Sequence, residues 1–302
     1  MKLKYIVEDK FNNHTINEIL ASKFHFSTRL KLKLIKSKRI SINGTVADTR
    51  NIAVTSDIIT IDLEYEEDNS NVVPNKMDLN ILFEDEWLLV VDKPAHMAIH
   101  PSRMHFETSL SNGVRAYFDK IGLKKKIRPV NRLDIDTSGV VIFAKCEYIQ
   151  EEFIKQMENN IFKKEYLCLV ENPFDSNNLS GTINLPIARK SGSIIERCVS
   201  DSGVPAITHY EVLKNFENYS FVKCKLETGR THQIRAHLAS IGHPLLNDGK
   251  YGSTHGRFKQ ELYSYKLRFN FTSESDVLEY LNGREFVSNN CPILTKFEKR
   301  VY

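Results

Sequence analysis

Apolar and polar residues form short blocks along most of the chain, and these blocks predict a mixture of strands and helices. Runs of about four to eight apolar or alternating residues are typical of strands. Such runs occupy residues 88–91, 140–144, 164–170, 206–213 and 221–226. The spacing of one helical face occurs at Ile149, Phe153, Ile154 and Met157. A further helix is predicted from Thr231 to Ile241, because Gly242 is a residue type that commonly ends helices.

The order of these elements predicts the fold class. Strands that follow one another with short turns pair most readily as antiparallel neighbours. We therefore expect an α+β fold with a largely antiparallel, mixed sheet, and not a doubly wound parallel sheet. The chain contains no glycine-rich dinucleotide motif and no phosphate-binding loop motif. A nucleotide cofactor is therefore not expected.

A basic segment near the N-terminus has a pattern that fits two kinds of secondary structure. Leu30, Leu32 and Leu34 alternate with lysines, which permits a strand. Ser27 ahead of the Leu30/Leu34 pair also permits a capped amphipathic helix. Further along, the dipeptide at residues 43–44 is Asn-Gly between short apolar segments. This dipeptide predicts a tight hairpin, because both turn residues need a positive φ.

Charge divides the chain into three regions. Residues 1–63 carry a net charge of +5, residues 64–75 a net charge of −4 and the remainder a net charge of +3. The chain of 302 residues also exceeds the usual size of one hydrophobic core. We therefore expect a small domain over residues 1–63, an acidic and mobile linker over residues 64–77, and a larger domain over residues 78–302.

The composition favours an intracellular protein with packed cores. Hydrophobic residues make up 41% of the chain, and no run of about eighteen apolar residues predicts a membrane span. The N-terminus lacks the apolar stretch of a secretory signal. The five cysteines are scattered without a Cys-x-x-Cys pair, so neither a zinc site nor a disulfide framework is expected. We expect a cytoplasmic monomer.

Candidate chemistry begins at residues 128–139, RPVNRLDIDTSG, which directly precede a strongly apolar strand. In an extended chain, Arg132, Asp134 and Asp136 would project to one side. A carboxylate beside a guanidinium stays ionised, and covalent catalysis by aspartate requires an ionised, oriented carboxylate. An ordinary Arg–Asp surface turn would fit the same residues. This segment alone therefore does not establish an active site.

Three further segments change that interpretation. They are DKPAHMAIHP at residues 92–101, LETGRTHQIR at residues 226–235 and GHPLLNDGKYG at residues 242–252. Together with RLDIDTSG, in this order, they closely resemble the RluA-like family of RNA pseudouridine synthases. The resemblance implies the catalytic domain of that family, with a central cleft in its sheet. The N-terminal basic segment and hairpin resemble the small α/β alpha-L RNA-binding module, which implies a helix at the basic segment.

The resemblance implies an enzyme that isomerises uridine to pseudouridine in structured RNA. Large-subunit ribosomal RNA is the expected substrate, with transfer RNA as the alternative. Because substrate and product contain the same atoms, neither a cofactor nor a metal is expected. Asp134 matches the catalytic aspartate. The sequence leaves three steps open for it, which are attack on the sugar, attack on the uracil ring and removal of a ribose proton. Tyr166 matches the tyrosine that contacts the uracil, and Arg230 matches the arginine that pairs with the aspartate.

Other residues are expected to bind the RNA. The resemblance places Arg132 beside a flipped nucleotide and Leu226 at the base pocket. Basic residues of the N-terminal module are expected to contact phosphates. These residues are Lys31, Lys33, Lys36 and Arg39. The run at residues 124–126, Lys-Lys-Lys, fits a solvated loop or a contact with the RNA backbone equally well.

Two positions depart from the family pattern, and two other classes of function compete with the synthase. Asn131 stands where histidine is frequent, and His96 stands where the Lys-Pro motif usually continues with glycine. One competing class is a non-catalytic RNA-binding or ribosome-assembly factor, against which the intact motif residues argue. The other is a hydrolase of the glycosidic bond. Hydrolysis generally needs a second carboxylate or a positioned water beside the first carboxylate, and only Asp136 is available near Asp134.

Overall fold

The computed structural model of the protein describes residues 1–158, 162–254, 259–270, 277–289 and 291–294. The elements of its N-terminal part are β1 (Lys2–Ile6), β2 (His14–Thr15), α1 (Ile16–Ser22), α2 (Thr28–Lys36), β3 (Ile40–Ile42), β4 (Thr45–Val46), β5 (Ile52–Ala53) and β6 (Ile58–Asp62). Four of these strands form an antiparallel sheet in the order β1-β6-β3-β4, and β2 pairs with β5. The sheets of this part therefore contain no strand from the rest of the described chain.

The basic segment whose pattern fitted two structures is helix α2. Ser27 Oγ accepts a hydrogen bond from the Leu30 backbone N–H at 3.3 Å, and Leu30 and Leu34 are fully buried. A cap at the first residue and one buried face are the features that favour a helix over a strand, so the helix is confirmed. Asn43 and Gly44 join β3 to β4 with φ values of 48° and 82°, which confirms the predicted hairpin.

The rest of the chain is built on one large sheet. Its elements are β7 (Ile81–Glu84), β8 (Leu88–Lys93), α3 (Leu110–Lys120), β9 (Arg128–Pro129), β10 (Ser138–Ala144), α4 (Glu147–Glu158), β11 (Phe162–Glu171), β12 (Ser180–Asn184), β13 (Ile187–Arg189), β14 (Arg197–Val199), β15 (Ile207–Asn215), β16 (Tyr219–Leu226), α5 (Gln233–Ser240), β17 (Leu262–Phe269) and β18 (Glu285–Val287). The sheet has ten strands, with the main order β12-β15-β16-β11-β17-β10-β8-β7. β10 and β17 run parallel, and its other described pairs are antiparallel. The prediction of an α+β fold with a largely antiparallel sheet is confirmed.

Close contact between β10 and β17 depends on a glycine. Gly139 has a φ of +122°, and a Cβ atom there would collide with the backbone of Ser264 on β17. A side chain at this position would push the two strands apart. The glycine of the Thr-Ser-Gly motif therefore fixes the strand that directly follows the loop carrying Asp134.

The N-terminal part packs against the large sheet and its helices. Phe26 meets Tyr148 of α4 edge-on, with ring centroids 4.7 Å apart. Both rings belong to one buried cluster that also contains Leu30 of α2 and Phe153 of α4. A shared hydrophobic core fixes the position of the N-terminal part. Among the helices within the described ranges, none is long and apolar enough to cross a membrane.

The acidic segment after β6 is also packed against its surroundings. Tyr65 and Val72 are buried. Glu67 accepts hydrogen bonds from both terminal nitrogens of Arg128 at 2.7 Å and from Lys33 Nζ at 3.1 Å. The expectation of a mobile linker is therefore wrong for this stretch. Its acidic composition suggested solvation, but the fold supplies Glu67 with two cations that lie far from it in the sequence.

Glu67 is expected to contribute stability that depends on pH. Burial opposes its ionisation, but the hydrogen bonds and charges of Arg128 and Lys33 lower the pKa of Glu67 to about 2. Because the folded pKa lies below the ordinary value of 4.5, the stabilisation is complete above about pH 4.5 and is lost as the pH falls toward about 2. We predict that Glu67→Gln lowers the free energy of unfolding by about 2–3 kcal/mol at neutral pH. Urea titrations across this pH range measure the effect.

Glu66→Gln is the matched control for this prediction. The Glu66 side chain is 74% exposed and pairs with Lys124, which is 66% exposed, and such surface pairs contribute about 0–1 kcal/mol. The control should therefore unfold like the wild type and keep its acid sensitivity. Equal stability of the two variants at neutral pH would show that Glu67 does not stabilise the packed segment.

Candidate active site

A cavity of about 420 Å³ opens beside the loop that joins β9 to β10. A smaller recess of about 60 Å³ shares six of its twelve lining residues with this cavity and extends to α5. Residues predicted from the sequence that line both spaces are Arg132, Asp134, Tyr166, Leu226 and Arg230. The structure therefore brings together, around one pocket, five residues that are up to 98 positions apart in the sequence.

The loop carrying Asp134 is held by hydrogen bonds to β10. The Thr137 N–H donates to the Asp134 carbonyl oxygen at 3.1 Å. Asn131 is buried, and its side chain donates to the Val140 carbonyl and accepts from the Ile142 N–H, both at 2.9 Å. An amide can donate and accept at once, so it satisfies two strand groups that would otherwise lack partners. The departure at Asn131 thus has a structural role.

Lys93, from the Lys-Pro motif, supports the same loop from β8. Its side chain is fully buried, and its Nζ donates to three backbone carbonyl oxygens. These oxygens belong to Pro94, Met97 and Ile135, at 2.8, 2.8 and 3.0 Å. Burial lowers the pKa of Lys93 to about 7, against the opposite effect of the nearby carboxylates. Because Ile135 directly follows Asp134, Lys93 anchors the loop that carries Asp134 to β8.

Asp136 is paired with His96 and does not line the pocket around Asp134. His96 Nδ1 lies 2.7 Å from Asp136 Oδ1. His96 has a φ of 61°, a conformation that glycine adopts at the lowest cost, which explains why glycine is usual at this position. Within the described part of the chain, no three His, Cys, Asp or Glu side chains are grouped so that they could hold a metal ion.

Asp134 is ion-paired with Arg235, and the predicted pair with Arg230 is wrong. Arg235 Nη1 donates to Asp134 Oδ2 at 3.0 Å. The Nε and Nη2 atoms of Arg235 donate to the two carboxylate oxygens of Asp248 at 2.7 and 2.8 Å. Arg230 lines the pocket, but its Nε donates to the Pro205 carbonyl oxygen at 3.1 Å.

The start of helix α5 decides which arginine reaches Asp134. The helix begins at Gln233, whose side-chain oxygen accepts a hydrogen bond from the Arg230 backbone N–H at 3.0 Å. Arg230 therefore stays in the loop before the helix, whereas Arg235 lies in its first turn with its side chain only 5% exposed. One feature of the sequence could have indicated this. Arg235 is flanked by Ile234 and Ala236, and an arginine on a buried helix face needs a buried partner.

A histidine and a tyrosine complete the surroundings of Asp134. His232 precedes α5 in a left-handed conformation, with Nε2 3.7 Å from Asp134 Oδ2 and Nδ1 2.8 Å from the Tyr251 hydroxyl. The Tyr251 ring lies 4.7 Å from the Arg235 guanidinium. Burial lowers the pKa of His232 and raises the pKa of Tyr251 to about 12. Both side chains are therefore uncharged at neutral pH, and neither contact was predicted from the sequence.

Strand β11 contributes two neighbouring side chains to the pocket. Lys164 and Tyr166 are two residues apart and so project to the same face. Tyr166 is 7% exposed, and burial raises its pKa to about 12. Leu226 pairs with Lys164 in the register of β16 and β11. Lys164 was not predicted as a site residue, and burial lowers its pKa.

The four basic residues predicted to bind phosphates fall into two groups. Lys33 and Arg39 already form internal ion pairs, Lys33 with Glu67 and Arg39 with Asp62 at 2.6 Å. Lys31 donates to the side chain of Asn17 at 3.0 Å, and Lys36 is exposed. None of the four is among the described residues that line the pocket around Asp134.

Comparison with known proteins identifies the family. The family described as RNA pseudouridylate synthase matches residues 87–240, which include the loop, both pocket strands and all of α5. The chain belongs to the RNA pseudouridine synthases. This synthase is 35% identical over 252 residues to "Uncharacterized RNA pseudouridine synthase YhcT" of Bacillus subtilis, covering 83% of this chain and 82% of that relative. The predicted RluA-like resemblance is confirmed, and the protein is an RNA-modifying isomerase.

A further relative and a solved structure agree with this assignment. "Ribosomal large subunit pseudouridine synthase D" of Nitrosomonas europaea is 32% identical over 253 residues, covering 83% of this chain and 73% of that relative. The solved structure of "Human RNA Pseudouridylate Synthase Domain Containing 1" has a TM-score of 0.53 and 23% identity, covering 73% of this chain and 95% of that one. The human structure shows that the synthase shares its fold.

Replacement of Arg235 and replacement of Arg230 are expected to have different effects on stability. Arg235→Met leaves Asp134 and Asp248 without their shared cation. Breaking a buried pair in this way typically costs about 3–5 kcal/mol, so the melting temperature should fall sharply. Pseudouridine formation should fall by about 100-fold or more, because the carboxylate loses the donor that orients it. Thermal unfolding and initial-rate measurements on the purified synthase test both effects.

Arg230→Met is the matched control for stability. Its described side-chain hydrogen bond is made to one backbone carbonyl, so its loss should cost no more than about 1 kcal/mol. If Arg230→Met melted at the lower temperature and Arg235→Met melted like the wild type, the pairing of Asp134 with Arg235 would be wrong.

Proposed function

We propose that the synthase isomerises specific uridines in structured RNA, with Asp134 as the catalytic carboxylate and large-subunit ribosomal RNA as the substrate. The observation that carries this proposal is the placement of Asp134 on the pocket wall, ion-paired with the buried Arg235. The ribosomal substrate is supported by relatives named ribosomal large subunit pseudouridine synthase D, from Nitrosomonas europaea, Pseudomonas aeruginosa and Xylella fastidiosa. Transfer RNA remains the alternative that the experiment below distinguishes.

The chemistry needs a carboxylate that stays ionised in a partly closed pocket. The bond from ribose carbon 1′ to the uracil nitrogen breaks, the base turns, and carbon 5 of the base joins carbon 1′. A carboxylate assists the cleavage by attack or by taking a proton, and it must be charged to do either. Arg235 orients the Asp134 carboxylate through the hydrogen bond from its Nη1. Arg235 donates two hydrogen bonds to Asp248 and one to Asp134. Its positive charge is therefore shared between two carboxylates, and the negative charge of Asp134 is only partly compensated.

The detached uracil must stay in the pocket while it turns. Tyr166 offers a ring for stacking, and Leu226 closes the apolar side of the same space. The pKa of about 12 keeps the Tyr166 hydroxyl protonated at neutral pH. Because the hydroxyl is protonated, it can take the proton from carbon 5 only if its own proton passes at the same time to an acceptor, and the Asp134 carboxylate in the same pocket would be that acceptor.

The target nucleotide must leave its stack to reach Asp134. A pocket of about 420 Å³ cannot admit an RNA double helix. The uridine therefore has to be turned out of its base stack and into the pocket. Arg132 is exposed and lines the pocket. We infer that its side chain occupies the gap left by the flipped nucleotide. We also infer that Lys31 and Lys36 contact phosphates, whereas Lys33 and Arg39, already ion-paired, position the N-terminal part.

Asp134→Asn should abolish pseudouridine formation and leave RNA affinity within a few-fold of the wild type. The amide keeps the size of the side chain and an oxygen for Arg235, but it cannot act as a nucleophile or base. Asp136→Asn is the matched control, because Asp136 pairs with His96 and does not line the pocket. Turnover near the wild-type rate in Asp134→Asn, or its loss in Asp136→Asn alone, would contradict the assignment.

The substrate is identified by mapping pseudouridines in ribosomal and transfer RNA from cells with and without the protein. We expect specific uridines of large-subunit ribosomal RNA to lose the modification, and the purified wild type to restore it. Losses confined to transfer RNA would move the proposal to that substrate. Release of free uracil would indicate a hydrolase, and an unchanged map would favour a non-catalytic RNA-binding protein.

A further inference from the structure

A second groove continues from the pocket around Asp134. It has a volume of about 320 Å³ and shares His100 and Pro129 with the pocket. One wall comes from α2 in the N-terminal part, and the other comes from residues 126–129 and helix α4. The groove thus begins at the catalytic pocket and passes between the two parts of the molecule.

Basic residues outnumber acidic residues along the lining of these two adjoining spaces. The arginines and lysines that line them are Arg29, Lys33, Lys126, Arg128, Arg132, Lys164 and Arg230. Three carboxylates line the same spaces, those of Glu67, Asp134 and Glu147. The lining therefore carries a net charge of +4, which equals the net charge of the entire chain. The rest of the chain has 35 basic and 35 acidic residues, so their formal charges sum to zero.

The two carboxylates of the groove are already neutralised by internal cations. Glu67 is paired with Arg128 and Lys33, and its side chain is 4% exposed. Glu147 lies 3.4 Å from Lys33 Nζ and 3.8 Å from Arg29 Nε, with 14% of its side chain exposed. A ligand in the groove would therefore interact mainly with the exposed cations, because these two carboxylates are paired and largely buried.

Arg29 and Lys126 are the exposed cations on the two opposite walls. The Arg29 side chain is 83% exposed, and Lys126 is also exposed. The wall that bears Arg29 is tied to the wall that bears Lys126 through Lys33, Glu67 and Arg128. Those ion pairs hold the two walls together, so the backbone positions that bear Arg29 and Lys126 are in place before any ligand binds.

We propose that this groove binds the sugar–phosphate backbone of single-stranded RNA that leaves the catalytic pocket, through Arg29 and Lys126. The inference rests on the proposed function, because a flipped uridine in the pocket must be followed by unpaired nucleotides at its edge. Phosphodiesters are the negative groups that such a strand presents at every step. The groove adds binding that does not depend on the reacting base.

The test uses a fluorescein-labelled oligouridylate of about ten nucleotides, a length typical of single-strand binding sites. Its affinity for the full-length synthase is measured by fluorescence anisotropy over a range of salt concentrations. The test variant is Arg29→Gln with Lys126→Gln. The matched control is Lys2→Gln with Lys4→Gln, which removes the same charge from two exposed lysines of β1 outside the groove. Melting temperatures of both double variants should equal that of the wild type.

The groove variant should bind roughly tenfold more weakly, and its salt slope should fall by about 1.4, because each lost phosphate contact to a single strand removes about 0.7. The control should keep the wild-type affinity and slope. Equal affinity and slope in the two double variants would overturn the proposal, as would a wild type that does not bind the oligonucleotide. If the wild type binds it as expected but forms no pseudouridine in ribosomal or transfer RNA, the proposed function fails and the groove assignment stands.

Discussion

One buried guanidinium determines the geometry of the pocket around Asp134. Arg235 joins Asp134 on the loop before β10 to Asp248 on the segment that follows α5. Burying a cation with two carboxylates carries a large desolvation cost, which their hydrogen bonds offset only when all three groups are in place. The helix, the loop and the later segment therefore depend on one another. Tyr251 and His232, which contact Arg235 and Tyr251 respectively, extend the same arrangement.

The loop that carries Asp134 is also held by hydrogen bonds from Lys93 and Asn131. Lys93 bonds to the carbonyl directly after Asp134, and Asn131 bonds to two backbone groups of β10. Gly139 allows β10 to lie against β17. A catalytic group must be positioned within a fraction of an ångström to be effective. Lys93, Asn131 and Gly139 therefore help to position the Asp134 carboxylate.

The basic residues of the N-terminal part have two different roles, although their chemistry is the same. Lys33 forms ion pairs with Glu67 and Glu147, and these pairs join the N-terminal part to the segment after it and to α4. Arg29, four residues earlier on the same helix, keeps most of its side chain in solvent. A count of lysines and arginines cannot separate these roles, because it does not show which carboxylates lie within reach after folding.

Elements with local signals could be predicted from the amino-acid sequence. The hairpin at Asn43 and Gly44 and the antiparallel character of the large sheet follow from turn residues, periodicity and short connections. Helix α2 fitted two patterns and was assigned through the family resemblance, which also indicated Asp134, Tyr166 and Leu226 as pocket residues. Which arginine reaches Asp134 depended on the folded chain. Arg230 and Arg235 stand in one motif, and the helix start at Gln233 turns the second toward the carboxylate. The tertiary structure also decided that the acidic segment is packed, because an ion pair between residues 61 positions apart depends on distances that only the folded chain sets.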